Sequence, residues 1–290
     1  MSPEIFFQII VNGLFTGGIY SLVAVGLTLI YGVMVIVNFA HGEFLMLGIY
    51  VAFWAWTLMD LDPYVAIPIA FALIFGLGAL IQRGLVQRVL DAHPLNQIIL
   101  LVGVSTLLIG LVQFFFSAEP KAIHVSYETA VISAFGLRFA IARLVAFFAS
   151  MAISLLLFIF LRYTRTGKAI RAVSQSRDAA RLMGINVNFI YYLTFGIGAA
   201  ITAVAGVLLA PNHRMIPTMG QGYSVIAFVV VVLGTMGNFI GAFIGGLIIG
   251  VVEAFAGFYL GGDVKIIASM MIFILILLFR PAGLFGRKST

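Results

Sequence analysis

Long apolar runs separated by short polar breaks cover almost the whole chain. Five of them, residues 64–82, 97–116, 143–161, 189–209 and 264–279, each have the length and apolar content that predict a single membrane-crossing helix. Two longer stretches hold more than one crossing. Residues 5–59 have room for about two, and Asn38, His41, Gly42 and Glu43 interrupt the run where the second helix is expected to begin. A third short segment there would reverse the side of the amino terminus, and no Lys or Arg within residues 1–59 marks that side. Residues 225–260 are short for two full spans and a turn. A pair of abbreviated helices is expected, with the break at Gly234 and Gly237–Asn238. The pattern predicts an all-α, polytopic integral membrane protein of eight or nine transmembrane helices, short and broken segments included. It would fill residues 1–290 as one transmembrane domain.

Residues 162–188 break the pattern most strongly. This polar segment of 27 residues carries six of the chain's 16 Lys and Arg against a single acid, Asp178. A basic segment between spans belongs on the cytoplasmic side. Arg83, Arg88, Arg280, Arg287 and Lys288 point to that same side, which makes the carboxyl terminus cytoplasmic. Asp60, Asp62, the mixed segment 117–142 and residues 210–224 and 261–263 then face outward. Within the basic segment Ser176 can N-cap a short helix, Asp178 falls in its first turn, and Gly184 can end it in the left-handed conformation. The expected helix, Arg177–Met183, holds small Ala179 and Ala180 between Asp178 and Arg181, with Leu182 and Met183 beside them. About two turns are too few for stability in water, so it must pack on a partner or on its own protein. The plainer reading is an ordinary basic loop, held inside by charge alone.

Composition narrows the class further. Hydrophobic residues make up 63% of the chain and charged residues 9%, against about 25% charged in soluble domains. No soluble domain fits beside the spans. The net charge of +6 sits mostly in the basic segment and the tail, where it reports orientation and contact with anionic membrane lipid rather than nucleic acid. There are no cysteines, so no disulfide or thiolate chemistry is available. The apolar run after Met-Ser-Pro-Glu is too long for a signal peptide and is expected to be retained. Gly167–Lys168 lacks the glycine spacing and the Ser or Thr of a phosphate-binding loop, and His41-Gly42-Glu43 is not the zinc pair His-Glu-x-x-His. No Gly-x-Ser-x-Gly elbow occurs. Neither catalysis nor a metal or other cofactor is expected.

Ionisable residues within spans are costly and are candidates for function. Here they are His41, Glu43 and Glu253, with Asn38 nearby. Two readings stay open for Asn38, His41 and Glu43: a helix start at the cytoplasmic interface, or the lining of a conduit or its gate. Glu253 falls within or near the outer leaflet, as an interfacial carboxylate or as part of the conduit. His213, Arg214 and Gln221 follow Pro211 on the outer side, where they can meet a delivery protein or be solvated. Tyr20, Ser21 and Thr28 are expected to bond their own helix backbone. Gly237, Gly241 and Gly245 recur every four residues, as do Gly246 and Gly250 and also Gly13 and Gly17. Such faces let helices approach closely, within a subunit or between subunits. Interrupted segments in opposite halves of the chain point to inverted repeats around a transport path, although no direct sequence repeat is visible.

Asp178-Ala179-Ala180, followed after three residues by Gly184, resembles the acidic-Ala-Ala…Gly coupling loop of ABC-importer permeases, with Asp where the general motif has Glu. The runs 164–175, 181–186, 37–44 (Val-Asn-Phe-Ala-His-Gly-Glu-Phe) and 232–247 are similar, more narrowly, to the LivH type of branched-chain amino acid permease. The likeness extends from about residue 8 to Gly286. It implies a conduit subunit in the bacterial inner membrane, fed by a periplasmic solute-binding protein and coupled through residues 177–184 to separate ATPases. It also implies an assembly with a second, LivM-like permease and two ABC ATPase subunits. The implied solute is a branched-chain or other hydrophobic amino acid, and related permeases serve urea, short amides or aromatic acids. The competing class is a stand-alone ion-coupled carrier. Such a carrier needs central Asp, Glu or His relays, and only His41, Glu43 and Glu253 are available.

Overall fold

A computed structural model describes residues 2–134, 136–280 and 283–286; Arg287 and Lys288, read above as cytoplasmic cations, lie outside the described residues. The chain forms α1 (Pro3–Met34), α2 (His41–Met59), α3 (Pro63–Val89, with a π-turn over Gln82–Val86) and α4 (Pro94–Phe116). A small antiparallel hairpin, β1 (Val131–Ala134) with β2 (Leu137–Ala140), precedes α5 (Ile141–Tyr163). Two short helices follow, α6 (Arg165–Gln175) and α7 (Arg177–Leu182). The last four are α8 (Val187–Leu209), α9 (Met219–Leu233), α10 (Phe239–Leu260) and α11 (Lys265–Phe279). Among the described residues seven helices are long and apolar enough to cross a membrane, and α9 and α11 are shorter apolar helices.

Successive crossings alternate between two ends. At one end Arg177 pairs with Asp91, Gln87 bonds Asn188, and Leu284 donates to the Leu233 carbonyl. Here this is called the basic end. At the other, the hairpin end, Gln8 bonds the backbone of Arg138, Lys121 pairs with Met215, and the Tyr127 hydroxyl donates to Asp62. Residues 5–59 contain two helices and no third segment. The described chain therefore starts at the hairpin end and finishes at the basic end. The 225–260 region differs from its expectation in one respect: α9 has 15 residues but α10 has 22, so only the first helix is abbreviated. The polar run Met-Gly-Gln-Gly-Tyr-Ser from Met219, expected as an outer loop, forms the first turns of α9.

α1 and α8 are apolar on all sides and form the centre of the bundle, as helices of that kind must. Exchanging α1 with α8, α2 with α9 and α3 with α10 maps the principal packing onto itself. The two most extensive interfaces, α1 on α10 and α8 on α3, change places, and so do α2 on α8 and α9 on α1. Because α1 runs towards the basic end and α8 away from it, the two halves are packed as inverted repeats. Close approach requires glycine at the centre. A β-carbon on Gly26 would strike the Gly198 carbonyl, and one on Gly198 would strike that of Gly26. The same reciprocity joins Gly42, at the start of α2, to Gly220, at the start of α9.

Candidate functional site

The starts of α2 and α9 meet inside the bundle. α1 ends at Val35, which takes φ 57° while its N–H caps the Tyr31 carbonyl, and residues 35–40 then turn back along the bundle. His41 consequently lies beside Val23, with Nε2 3.0 Å from the Val23 carbonyl and 2.8 Å from Thr202 Oγ1. Val23 is eleven residues before the end of α1, which at 1.5 Å per residue places His41 roughly 16 Å in from that end. Asn38 turns on itself, its Oδ1 accepting from the Ala40 N–H at 3.0 Å. The Gly42 N–H donates to Ser224 Oγ at 2.7 Å, linking the first turns of α2 and α9. Asn38, His41 and Glu43 are all fully buried, so they do not sit at a solvated interface.

Glu43 occupies the junction itself. Its Oε1 accepts from Ser105 Oγ at 3.0 Å, and its Oε2 lies over Gly220, where any β-carbon would collide with it. The carboxylate is thus in the first turn of its own helix and against the first turn of α9. Both helix starts present backbone N–H groups and the positive ends of their dipoles, which favour a negative charge there. No described cation pairs with Glu43. Its Oε2 is buried without a hydrogen-bond partner among the described residues, so only the helix dipoles face it.

Towards the hairpin end lies a cavity of about 400 Å³ between α1, α5, α10 and α11. Glu253, 5% exposed, stands in its wall; Tyr20 donates to Oε2 at 2.7 Å, and the Ser269 hydroxyl donates to Oε1. Glu253 is therefore a buried, doubly bonded carboxylate rather than an interfacial one. Tyr20 likewise departs from the expectation that it bonds its own backbone, because the carboxylate lies within reach. Ser21 bonds both the Gly17 carbonyl of its own helix and the Phe243 carbonyl of α10. His213 lines the cavity mouth and is itself exposed, and Arg214 and Gln221 are exposed without lining it. Desolvation by the cavity walls, followed by the charges of Arg143 and Lys265, holds the His213 imidazole below its usual range, against a partly offsetting bond to the Leu209 backbone.

At the basic end α7 projects from the bundle. Ser176 ends α6 and caps α7, its Oγ accepting from the Ala179 N–H at 3.2 Å. Gly184 has φ +79° and open space around it, and the Ile185 N–H returns to the Ala180 carbonyl at 3.0 Å. Arg177 reaches Asp91 at 2.8 Å, which raises its already high pKa, and Arg181 lies 3.7 Å from Asp178. Ala180 is buried against the bundle. Leu182 and Met183 are 89% and 82% exposed, two adjacent apolar side chains on the tip of a charged protrusion.

Residues 9–279 of this chain match the family described as the permease component of branched-chain amino acid transport systems. The chain belongs to that family. It is similar to the high-affinity branched-chain amino acid transport system permease protein BraD of Pseudomonas aeruginosa, at 35% identity over 99% of both chains. LivH of Salmonella typhimurium is 36% identical over 98% of this chain and 97% of its own. The probable LivH of Methanocaldococcus jannaschii is 28% identical over 91% and 88%. The bundle is accordingly that of a multi-pass membrane permease.

Several residues around these permease sites carried no sequence signal. Ser105 and Thr202 serve Glu43 and His41 but are small hydroxyls within apolar runs. Arg143 and Lys265 fall at the edges of apolar runs, and Ser269 is one small residue of α11. α6 did leave a trace, since Thr164 caps the Gly167 N–H at 2.9 Å and buried Ile170 and Val173 share one face. The glycine stripe resolves into parts. Gly237 lies in the turn, at φ +81°, not on the helix; Gly241 and Gly245 face the end of α9, while Gly246 and Gly250 face Ser21 and Gly17 of α1.

Proposed function

We propose that this permease is the conduit subunit of an ATP-binding-cassette importer for branched-chain or other hydrophobic amino acids. In this reading residues 1–290 form one transmembrane domain in the bacterial inner membrane, with the basic end and carboxyl terminus cytoplasmic. Arg83, Arg88, Arg162, Arg165, Lys168, Arg171, Arg177, Arg181 and Arg280 gather at that end, and such an excess favours the cytoplasm. The solute arrives from a periplasmic binding protein at the hairpin end. A second, LivM-like permease and two ABC ATPase subunits complete the assembly.

The observation that carries the reading is the tip of α7. A capped helix of six residues that exposes Leu182 and Met183 is too short to stand alone and offers an apolar surface to water. Residues Arg177 to Gly184, including Asp178, Ala179, Ala180 and Arg181, form the element that docks on an ATPase. Asn38, His41, Glu43 and Glu253 gate or line the path, and Gly237, Gly241 and Gly245 pack the turn and helix beside it.

Reconstitution tests the assignment. Proteoliposomes holding the permease with its partner permease, ATPases, loaded binding protein and internal ATP should concentrate leucine, and the lone chain should not. Concentrative uptake by the lone chain under a proton or sodium gradient would replace this reading with a secondary carrier.

A further inference from the structure

The hairpin-end cavity has the chemistry of a ligand site. Its volume of about 400 Å³ falls in the roughly 300–1,000 Å³ range of small-molecule pockets. Ile19 and Leu208 give it apolar lining, and Ile9 lines it about 15 Å further along α1. Elsewhere it carries a carboxylate, Glu253, and two cations, Arg143 and Lys265. Glu253 is oriented by Tyr20 and Ser269, so its remaining lone pairs are held in fixed directions. Arg143 and Lys265 make no hydrogen bond or ion pair with any described side chain. Lys265 reaches in across Gly257, where a β-carbon would meet its Cε. Arg143, in the first turn of α5, and Lys265, at the start of α11, both line the cavity and are both exposed to solvent.

The floor connects to the helix-start junction. The Tyr20 and Tyr223 rings meet at 6.2 Å, Tyr20 is three residues from Val23, and Tyr223 adjoins Ser224, which holds Gly42. Tyr20 and Tyr223 thus lie between the cavity and the junction of the α2 and α9 starts.

We infer that this cavity binds an apolar α-amino acid as its zwitterion. Arg143 and Lys265 hold the carboxylate, Glu253 takes the ammonium, and the side chain lies against Ile19 and Leu208. A carboxylate and an ammonium on one carbon need opposite charges within a few ångströms, and the apolar wall completes the match. The proposal rests on the permease reading for the identity of the solute, not for the existence of the site.

Tritiated leucine binding to the purified full chain in lipid nanodiscs, read by scintillation proximity, provides the test. Saturable binding is expected, with leucinol and 4-methylpentanoate, which lack one charge each, competing at least about tenfold more weakly than leucine. Arg143→Gln and Lys265→Gln should each weaken leucine by about tenfold or more, and Lys265→Arg should retain binding. Glu253→Gln should remove the discrimination against 4-methylpentanoate. The inference is overturned by absence of saturable leucine binding, by equal competition from 4-methylpentanoate in the unaltered chain, or by indifference to both cation variants. Leucine binding that persists where the assembled transporter fails to move leucine would instead count against the permease reading and leave the site standing.

Discussion

Gly42 and Gly220 meet at the junction of two helix starts, each placed so that a β-carbon on one would strike the backbone carbonyl of the other. Alanine at either position should force α2 and α9 apart at a place with no slack. Overpacking of this kind costs about 1–3 kcal/mol or more. Gly110 on α4 faces open space and supplies the control. In detergent, Gly42→Ala and Gly220→Ala should lower the unfolding temperature, while Gly110→Ala leaves it unchanged or raised. Equal behaviour of the three would remove the junction from the account.

Glu43 tests the balance between burial and helix dipoles. If the two helix starts hold its charge, Glu43→Gln should reduce stability by up to about 2 kcal/mol. Ser105→Ala, which removes one bond to it, should cost about 1 kcal/mol. Thermal unfolding of the purified chain measures both. A Glu43→Gln variant more stable than the parent would mean that desolvation of the carboxylate outweighs the two helix ends.

Leu182 and Gly184 separate docking from folding. Leu182 is almost wholly exposed, so Leu182→Asp should leave the unfolding temperature within the small range typical of surface changes, about 0.5 kcal/mol. Solute-stimulated ATP hydrolysis by the assembled complex should nevertheless fall sharply. Gly184→Val should act in the same direction, because a β-branched residue resists φ +79°. Cysteine at Ala179 or Leu182 should crosslink to the ATPase; labelling of either by a reagent confined to the outside would reverse the topology.

Gly250 faces the backbone of Gly13 and Gly17, and Gly241 faces that of Gly234. Leucine at either site should separate helices that small residues hold close. The expected readout is poor recovery of a monodisperse complex by size exclusion, with uptake lost in consequence. Normal recovery with altered solute preference would move these glycines into the conduit wall.

Much of the architecture was legible because hydropathy reads spans directly. Residues 97–116, 143–161 and 189–209 fall inside α4, α5 and α8, and the turn between α9 and α10 falls at Gly234–Asn238. The short helix α7 was legible for a local reason, since Ser176 and Gly184 act on their own neighbours. What escaped depends on distant partners. Met219–Ser224 has the polarity of a loop, and only the start of α2, far back in the chain, makes it a helix start. Glu253 looked interfacial because nothing nearby in sequence announces Tyr20, 233 residues away.

The junction of α2 and α9 also has a consequence in time. Gly42 and Gly220 are 178 residues apart, and a ribosome adding about 5–20 residues per second needs roughly 9–36 s to cover that distance. Throughout that interval the first half of the protein lacks Ser224, the later partner of the Gly42 amide, and Gly220, against which the start of α2 packs. During synthesis α2 waits for α9.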